Sequence, residues 1–304
     1  MTATADLPVR RGRHVVGHPV TAVLLGSMLF GTAGVGQAFA PAGASPVAVG
    51  TMRLAVGALA ITAYVLVRGV TVRHLLAMWR SRAILVATVG ATAYQPFFFG
   101  GVSLTGVPIG TLVAVGSAPV LTGLLSWVLL RERPSRAWGV ATVICVAGLA
   151  LLTGTGAAAG DVVGIALSAG AGLSISMFTV SAKTLLARGV PTMEVLASTF
   201  LLGALVMVPV AAWLGLGWVG SGPGLAVVLY LGLATMGVAN ILFTRGLGGL
   251  PAGAAVTLTL ADPLTATVLG AWLLDQRLTA GGWVGLAVLF LGLVLQGVWS
   301  SRRS

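Results

Sequence analysis

Long apolar runs, broken by short gaps that hold most of the charge, are the dominant pattern of this chain. Ten of them stand out, at roughly 19–40, 46–67, 83–104, 107–130, 137–153, 162–186, 192–214, 224–247, 251–274 and 280–299. A helix rises 1.5 Å per residue, so ~20 apolar residues span a hydrocarbon core of ~30 Å. Each run therefore predicts one membrane-crossing helix, the fifth being the shortest. Pro41, Pro46, Pro134, Pro191, Pro223 and Pro251 fall at the edges of the runs, where helices start or stop.

The first run resembles a secretory signal in two respects. Arg10, Arg11 and Arg13 precede it, and Ala38-Phe39-Ala40 closes it with an A-x-A pattern. Its ~20 residues exceed the usual apolar stretch of about 7–15, and cleavage would remove one member of the repeat described below. It is read as a retained helix.

Composition agrees with the pattern. The 304 residues are 57% hydrophobic and 8% charged, with mean hydropathy +1.04. A soluble domain carries about 25% charged residues, so the polar side chains here are too few to cover a water-exposed surface. The lipid bilayer is the solvent and the first partner. The 44 glycines suit helices that pack closely in lipid. A net charge of +11 does not mark a nucleic-acid partner, because the basic residues lie between the apolar runs rather than on one stripe. The single cysteine, Cys145, lies within a run, excludes an intrachain disulfide and reads as a small core residue.

The gaps also orient the chain. With the N-terminus cytoplasmic, the inner segments hold Arg10, Arg11, Arg13, Arg68, Arg73, Arg80, Arg82, Arg131, Arg133, Arg136, Lys183, Arg188, Arg245, Arg302 and Arg303, fifteen of the 17 basic residues. The outer loops hold Arg277, and Arg53 lies within a helix. This positive-inside bias places both termini in the cytoplasm. Lys183 is the only lysine, a usage associated with GC-rich bacteria, so the expected location is a bacterial cytoplasmic membrane.

The two halves repeat. At an offset of 144 residues Phe99 meets Phe243, Pro119 meets Pro263, Leu129-Leu130 meets Leu273-Leu274, Arg133 meets Arg277 and Gly148 meets Gly292, without a gap from about 94 to 150. Five helices per unit is odd, so the copies enter the membrane from opposite sides. Charge agrees, since the loop at 131–136 has three arginines and its counterpart one arginine beside Asp275. The expected organisation is a cytoplasmic tail (1–18), a five-helix repeat (19–153), an inverted five-helix repeat (162–299) and a second tail (300–304). Secondary transporters often use such inverted repeats, with the substrate near the midplane where the halves meet.

Arg53 early in the second helix, Pro119 followed by Leu129-Leu130-Arg131-Glu132-Arg133, and the echo Ala261-Asp262-Pro263-Leu264-Thr265-Ala266-Thr267 with Leu273-Leu274-Asp275-Gln276-Arg277 together resemble the EamA family of the drug/metabolite transporter superfamily. The resemblance runs from about 20 to 298. It implies a ten-helix carrier of small metabolites, often an exporter of amino acids or related compounds. Two positions depart from the family pattern: Gln276 stands where a second Glu is usual, and Asp262 where a Glu often precedes the second-half proline.

Ionisable groups at membrane depth cost ~2.5–3.5 kcal/mol and call for a reason. Asp262 stands eleven residues after Pro251, ~16 Å along the helix and near the midplane. Pro263 beside it frees a carbonyl near position 259. Asp262 is the first candidate for binding a substrate amine and for proton coupling, against a plain counter-ion for Arg53. Arg53, ~10 Å deep, is a candidate clamp for a substrate carboxylate, against snorkelling to the interface or bracing neighbouring carbonyls. Tyr94-Gln95-Pro96 in the third helix, and Asn240 at the corresponding place in the second half, add hydrogen-bonding groups, against a role as interhelical glue. Glu194 and Lys183 read as interfacial, and Trp138, Trp213, Trp218 and Trp299 as interface anchors. His14, His18 and His74 lie in basic stretches, outside any proton relay. Gly281-x-x-x-Gly285 marks a close-packing or dimer face, which leaves monomer and homodimer open.

The pattern predicts a secondary carrier exporting a small polar or amphipathic metabolite by alternating access, coupled to protons through Asp262. A channel or a non-transporting scaffold is the alternative; no ring of like charge or repeated filter motif supports it. An enzyme is not expected, for want of metalloprotease or nucleophile-elbow motifs, and no ATP-binding loop, cofactor or metal site is predicted.

Overall fold

A computed structural model describes residues 18–153, 161–273 and 278–302. Arg10, Arg11, Arg13, His14, Leu274, Asp275, Gln276, Arg277 and Arg303, which entered the sequence argument, lie outside the described residues. All the regular elements described are helical. The first half comprises α1 (Pro19–Ala38), α2 (Pro46–Val67), a short α3 (Val72–Met78), α4 (Arg82–Thr105), α5 (Val107–Leu130) and α6 (Arg136–Thr153). The second begins with α7 (Val162–Ala187) and α8 (Thr192–Trp213). Its third span is composite, with α9 (Gly222–Tyr230), a π-helical stretch Leu231–Val238 and α10 (Ala239–Gly248). The fourth is split into α11 (Ala252–Leu258) and α12 (Ala261–Leu273), and α13 (Ala280–Ser301) closes the described chain. Among the described residues these make ten spans long and apolar enough to cross a membrane.

Local chemistry sets where the helices begin. Ser45 caps α2, its side chain accepting from Ala48 N at 3.1 Å with Pro46 in the first turn. Asp161 caps α7 by accepting from the backbone N–H groups of Val163 (2.7 Å) and Gly164 (3.2 Å). Ser135 and Thr279, which correspond at the 144-residue offset, accept from Trp138 N and Gly282 N, each at 3.1 Å. Each of these caps satisfies one or, for Asp161, two of the amides that a helix start leaves without an intrahelical partner.

Packing obeys the same two-fold relation. α7 lies along α4 and α5, and its counterpart α1 lies along the composite eighth span and α12. The elements on the pseudo-axis pair with their own counterparts, α2 with α8 and α6 with α13. At the α6/α13 crossing Gly148 sits against the backbone of Leu289, and Gly292 sits against Cys145. Those two contacts are one contact seen twice, since 148 maps to 292 and 145 to 289. The lone cysteine is thus a buried packing residue on the axis. Gly285 is held against Leu152 and Gly148 in the same crossing, so that half of the Gly281-x-x-x-Gly285 face serves contact within the chain. Side chains on the outer girth, such as Leu59, Val143 and Trp272, are 63%, 69% and 78% exposed. Such exposure suits lipid rather than water.

One element was not expected. α3 lies in the basic gap between α2 and α4, with Leu75 fully buried. Trp79 Nε1 donates to Ser198 O at 3.1 Å and Ser198 Oγ to Leu75 O at 3.3 Å, which pins α3 to α8. A seven-residue helix with one buried side chain leaves no apolar run to read.

Candidate functional site

The two irregular stretches of the second half set the geometry. Between α11 and α12 the helix breaks at Thr259-Leu260, and Asp262 stands in the first turn after the break. The Thr259 carbonyl, which Pro263 leaves without its usual donor, is taken by Asp262 N at 2.9 Å. The vacancy expected from the sequence is closed by a tighter turn. In the eighth span, the π stretch carries Thr235, whose carbonyl accepts from Arg53 Nη2 at 3.4 Å. Single π turns inside helices recur at functional sites because they present backbone groups sideways.

Arg53 extends from α2 toward that carbonyl, so of its possible roles the structure shows bracing rather than snorkelling. The bond is long, and Arg53 Nε is buried with no partner among the described residues. Asp262 makes no ion pair and no side-chain hydrogen bond among the described residues, so it is not a direct counter-ion for Arg53. The charges nevertheless act on one another, and Tyr94 lies within reach of both. Tyr94 stacks on Phe98 with centroids 5.5 Å apart, and its hydroxyl has no partner among the described residues. Gln95 packs over Gly50, one helical turn from Arg53 on α2, where a Cβ at position 50 would push the end of the Gln95 side chain aside. Its amide is also without a hydrogen bond among the described residues. All four side chains are partly buried.

Asn240 stands apart. It is 6% exposed, and its amide donates to Met236 O at 2.9 Å, one turn back. It stitches the end of the π stretch to α10. Thr235 and its carbonyl were missed by the sequence reading, and the signal available was slight, a pair of glycines (Gly232 and Gly237) bracketing the stretch.

Two cavities lie elsewhere in the helices, neither of them lined by Arg53, Tyr94, Gln95 or Asp262. The outer one, about 350 Å³, is lined mainly by apolar groups of α1, α9 and α12, including Val35, Phe39, Val227, Leu269 and Leu273. It lies outward of Asp262 along the same seam, where Gly31 of α1 meets the Asp262 carbonyl and Thr265. Tyr230 donates to Thr32 Oγ1 at 2.6 Å on its wall. The inner one, about 130 Å³, lies among α5, α6, α11 and α13. Three residues read as interfacial turn out to be engaged. Lys183 pairs with Glu132 at 2.9 Å, Glu194 meets His74 at 2.8 Å, and Trp138 Nε1 donates to Thr257 Oγ1 at 3.1 Å while its ring packs on Gly123 and Gly253.

Ten membrane-spanning helices in two inverted repeats, with charged and polar side chains of both halves in the interior, define a multi-pass membrane protein of the transporter type. The comparisons with known proteins make the class specific: the EamA-like transporter family model matches residues 19–154 and 162–297, and the chain belongs to that family. It is 37% identical over 275 residues to the uncharacterized transporter YwfM of Bacillus subtilis (strain 168), covering 90% of this chain and 91% of that one. A second uncharacterized transporter of the same organism, YetK, is 26% identical over 197 residues, covering 62% of this chain and 59% of that one. A protein solved by crystallography superposes with a TM-score of 0.78 at 21% identity, covering 94% of this chain and 98% of that one, a likeness of fold. Family and relatives indicate a transporter rather than an enzyme.

Proposed function

We propose that this protein is a secondary carrier that exports a small amphipathic metabolite, an amino acid or a related compound, by alternating access. The observation that carries the reading is that Arg53 and Asp262, on spanning helices of the two repeats, are both partly buried and are not paired with each other among the described residues. Two opposite charges left unpaired in lipid are costly, and a zwitterion between them satisfies both. Arg53 offers a planar fork to a carboxylate, Asp262 receives an amine, and the Tyr94 hydroxyl and Gln95 amide supply further bonds. The broken ninth span resembles the discontinuous helices from which transporters build midplane sites.

A carboxylate that is free of an ion pair can also take a proton when the substrate leaves, so the reading assigns proton coupling to Asp262. The test is uptake into liposomes with an imposed pH gradient, using compounds chosen by a tolerance screen of cells with and without the protein. Saturable, gradient-driven uptake is expected for the parent, with a loss of at least about tenfold in Asp262→Asn, the size of effect that removing one charged partner of a bound ion produces. Full, gradient-dependent activity in that variant removes Asp262 from the mechanism.

A further inference from the structure

We infer that Glu132 and Lys183 form an ionic latch that holds the inner end of the pathway shut, and that its release opens the inward-facing state. The inference rests on the carrier reading for its purpose, but not for its geometry. Glu132 Oε1 lies 2.9 Å from Lys183 Nζ, with the side chains only 24% and 14% exposed. The other carboxylate oxygen accepts from Ala252 N at 2.8 Å, and the ammonium group donates to the carbonyls of Leu250 and, at 3.4 Å, Leu247.

These bonds tie α5 and α7 to the corner between α10 and α11. Glu132 follows α5 and Lys183 belongs to α7, which pack side by side. Leu247 belongs to α10, which packs chiefly on α1, while Leu250 and Ala252 lead into α11, which lies against α5 itself. The ion pair therefore grips the backbone of the corner between α10 and α11. Arg131, which ends α5, delivers Glu132 to this place by adopting the left-handed conformation at φ 57°, where glycine is the ordinary residue.

Behind the latch lies the inner cavity, walled by Glu132 and Leu250 and, more deeply, by Ser126 and Gln296. Gln296 is 2% exposed and its Oε1 has no partner among the described residues. It gives the cavity a polar wall of the kind a solute or water meets when the latch parts.

The sequence adds a direction. At the 144-residue offset Glu132 corresponds to Gln276 and Lys183 to Phe39, neither of them charged. In an inverted-repeat carrier the two end states exchange the arrangements of the halves. An ion pair encoded at one end alone biases the resting equilibrium toward the state with that end closed. Removing one member of a shielded pair leaves the other unpaired, which is strongly unfavourable to the closed state.

The test uses the purified full chain in lipid nanodiscs with Cys145→Ala and a single new cysteine, Ser126→Cys, at a site 2% exposed behind the latch. Reaction with a water-soluble maleimide is expected to be slow in the parent and at least about tenfold faster with Lys183→Met, because the closed state loses its charge pair. Lys183→Arg, which keeps charge and donors, stays near the parent. Glu132→Gln, which still accepts from Ala252 N, falls between. A second reporter, Ser174→Cys on α7, stays slow throughout. Unchanged labelling of Ser126→Cys in Lys183→Met overturns the latch, as does equal acceleration of both reporters. No substrate enters this assay, so a chain that labels as expected but carries nothing refutes the carrier reading and leaves the latch standing.

Discussion

Arg53 is held by one long bond to a backbone carbonyl and keeps a buried Nε–H without an acceptor. A residue kept purely for bracing would be expected to satisfy its donors, since an unmet buried donor costs about 1–3 kcal/mol. Lysine in its place retains the charge but loses the planar fork that matches a carboxylate. Arg53→Lys is therefore expected to raise KM by at least about tenfold, the equivalent of ~1.4 kcal/mol, in proteoliposome uptake. An unchanged KM would confine Arg53 to the Thr235 carbonyl. Tyr94→Phe keeps the stack on Phe98 and removes the hydroxyl alone. A net hydrogen bond of about 0.5–1.5 kcal/mol predicts a KM increase of roughly two- to tenfold, with thermal stability unchanged.

At the scale of elements, position along the bilayer followed from hydropathy, whereas irregularity did not. The ten apolar runs became the ten spans because lipid leaves a polar backbone no partner outside its own helix. The π stretch and the break between α11 and α12 depend on how α2 and α1 pack against them. Gly57 and Val56 of α2 press on Met236 and Gly232 within the π stretch, and Gly31 of α1 meets Asp262 and Thr265 just past the break. No local run of letters encodes such contacts. The glycine seam between α6 and α13 makes a sharper prediction. A Cβ at Gly148 collides with the Leu289 backbone, whereas one at Gly139 on the same helix meets open space. Gly148→Ala is expected to lose about 1–3 kcal/mol through overpacking. Gly139→Ala is expected to hold or gain stability, since alanine favours a helix by about 0.8–1.0 kcal/mol over glycine. Melting curves of the two variants in one detergent decide the matter.

For the whole molecule, the inverted repeat was legible because it is written twice, once in side-chain identity and once, with opposite sign, in loop charge. Asp262, Arg53, Tyr94 and Gln95 were legible as polar groups where lipid offers none, and the structure gathers them around one place. Asn240 gave the same signal, and its amide donates to Met236 O one turn back, at the end of the π stretch. Lys183 looked interfacial because it stands near a helix end, and nothing linear reveals that this end converges with Glu132.

The account depends on the two halves facing opposite ways across the bilayer. Ser135 and Thr279 cap corresponding helices and sit at opposite ends of the structure. With Cys145→Ala, single cysteines at each position can be exposed to a membrane-impermeant maleimide in intact cells. Thr279→Cys is expected to label at once, and Ser135→Cys only after the membrane is permeabilised. Labelling of both from one side would contradict the inversion, and with it a pocket shared between mirrored halves.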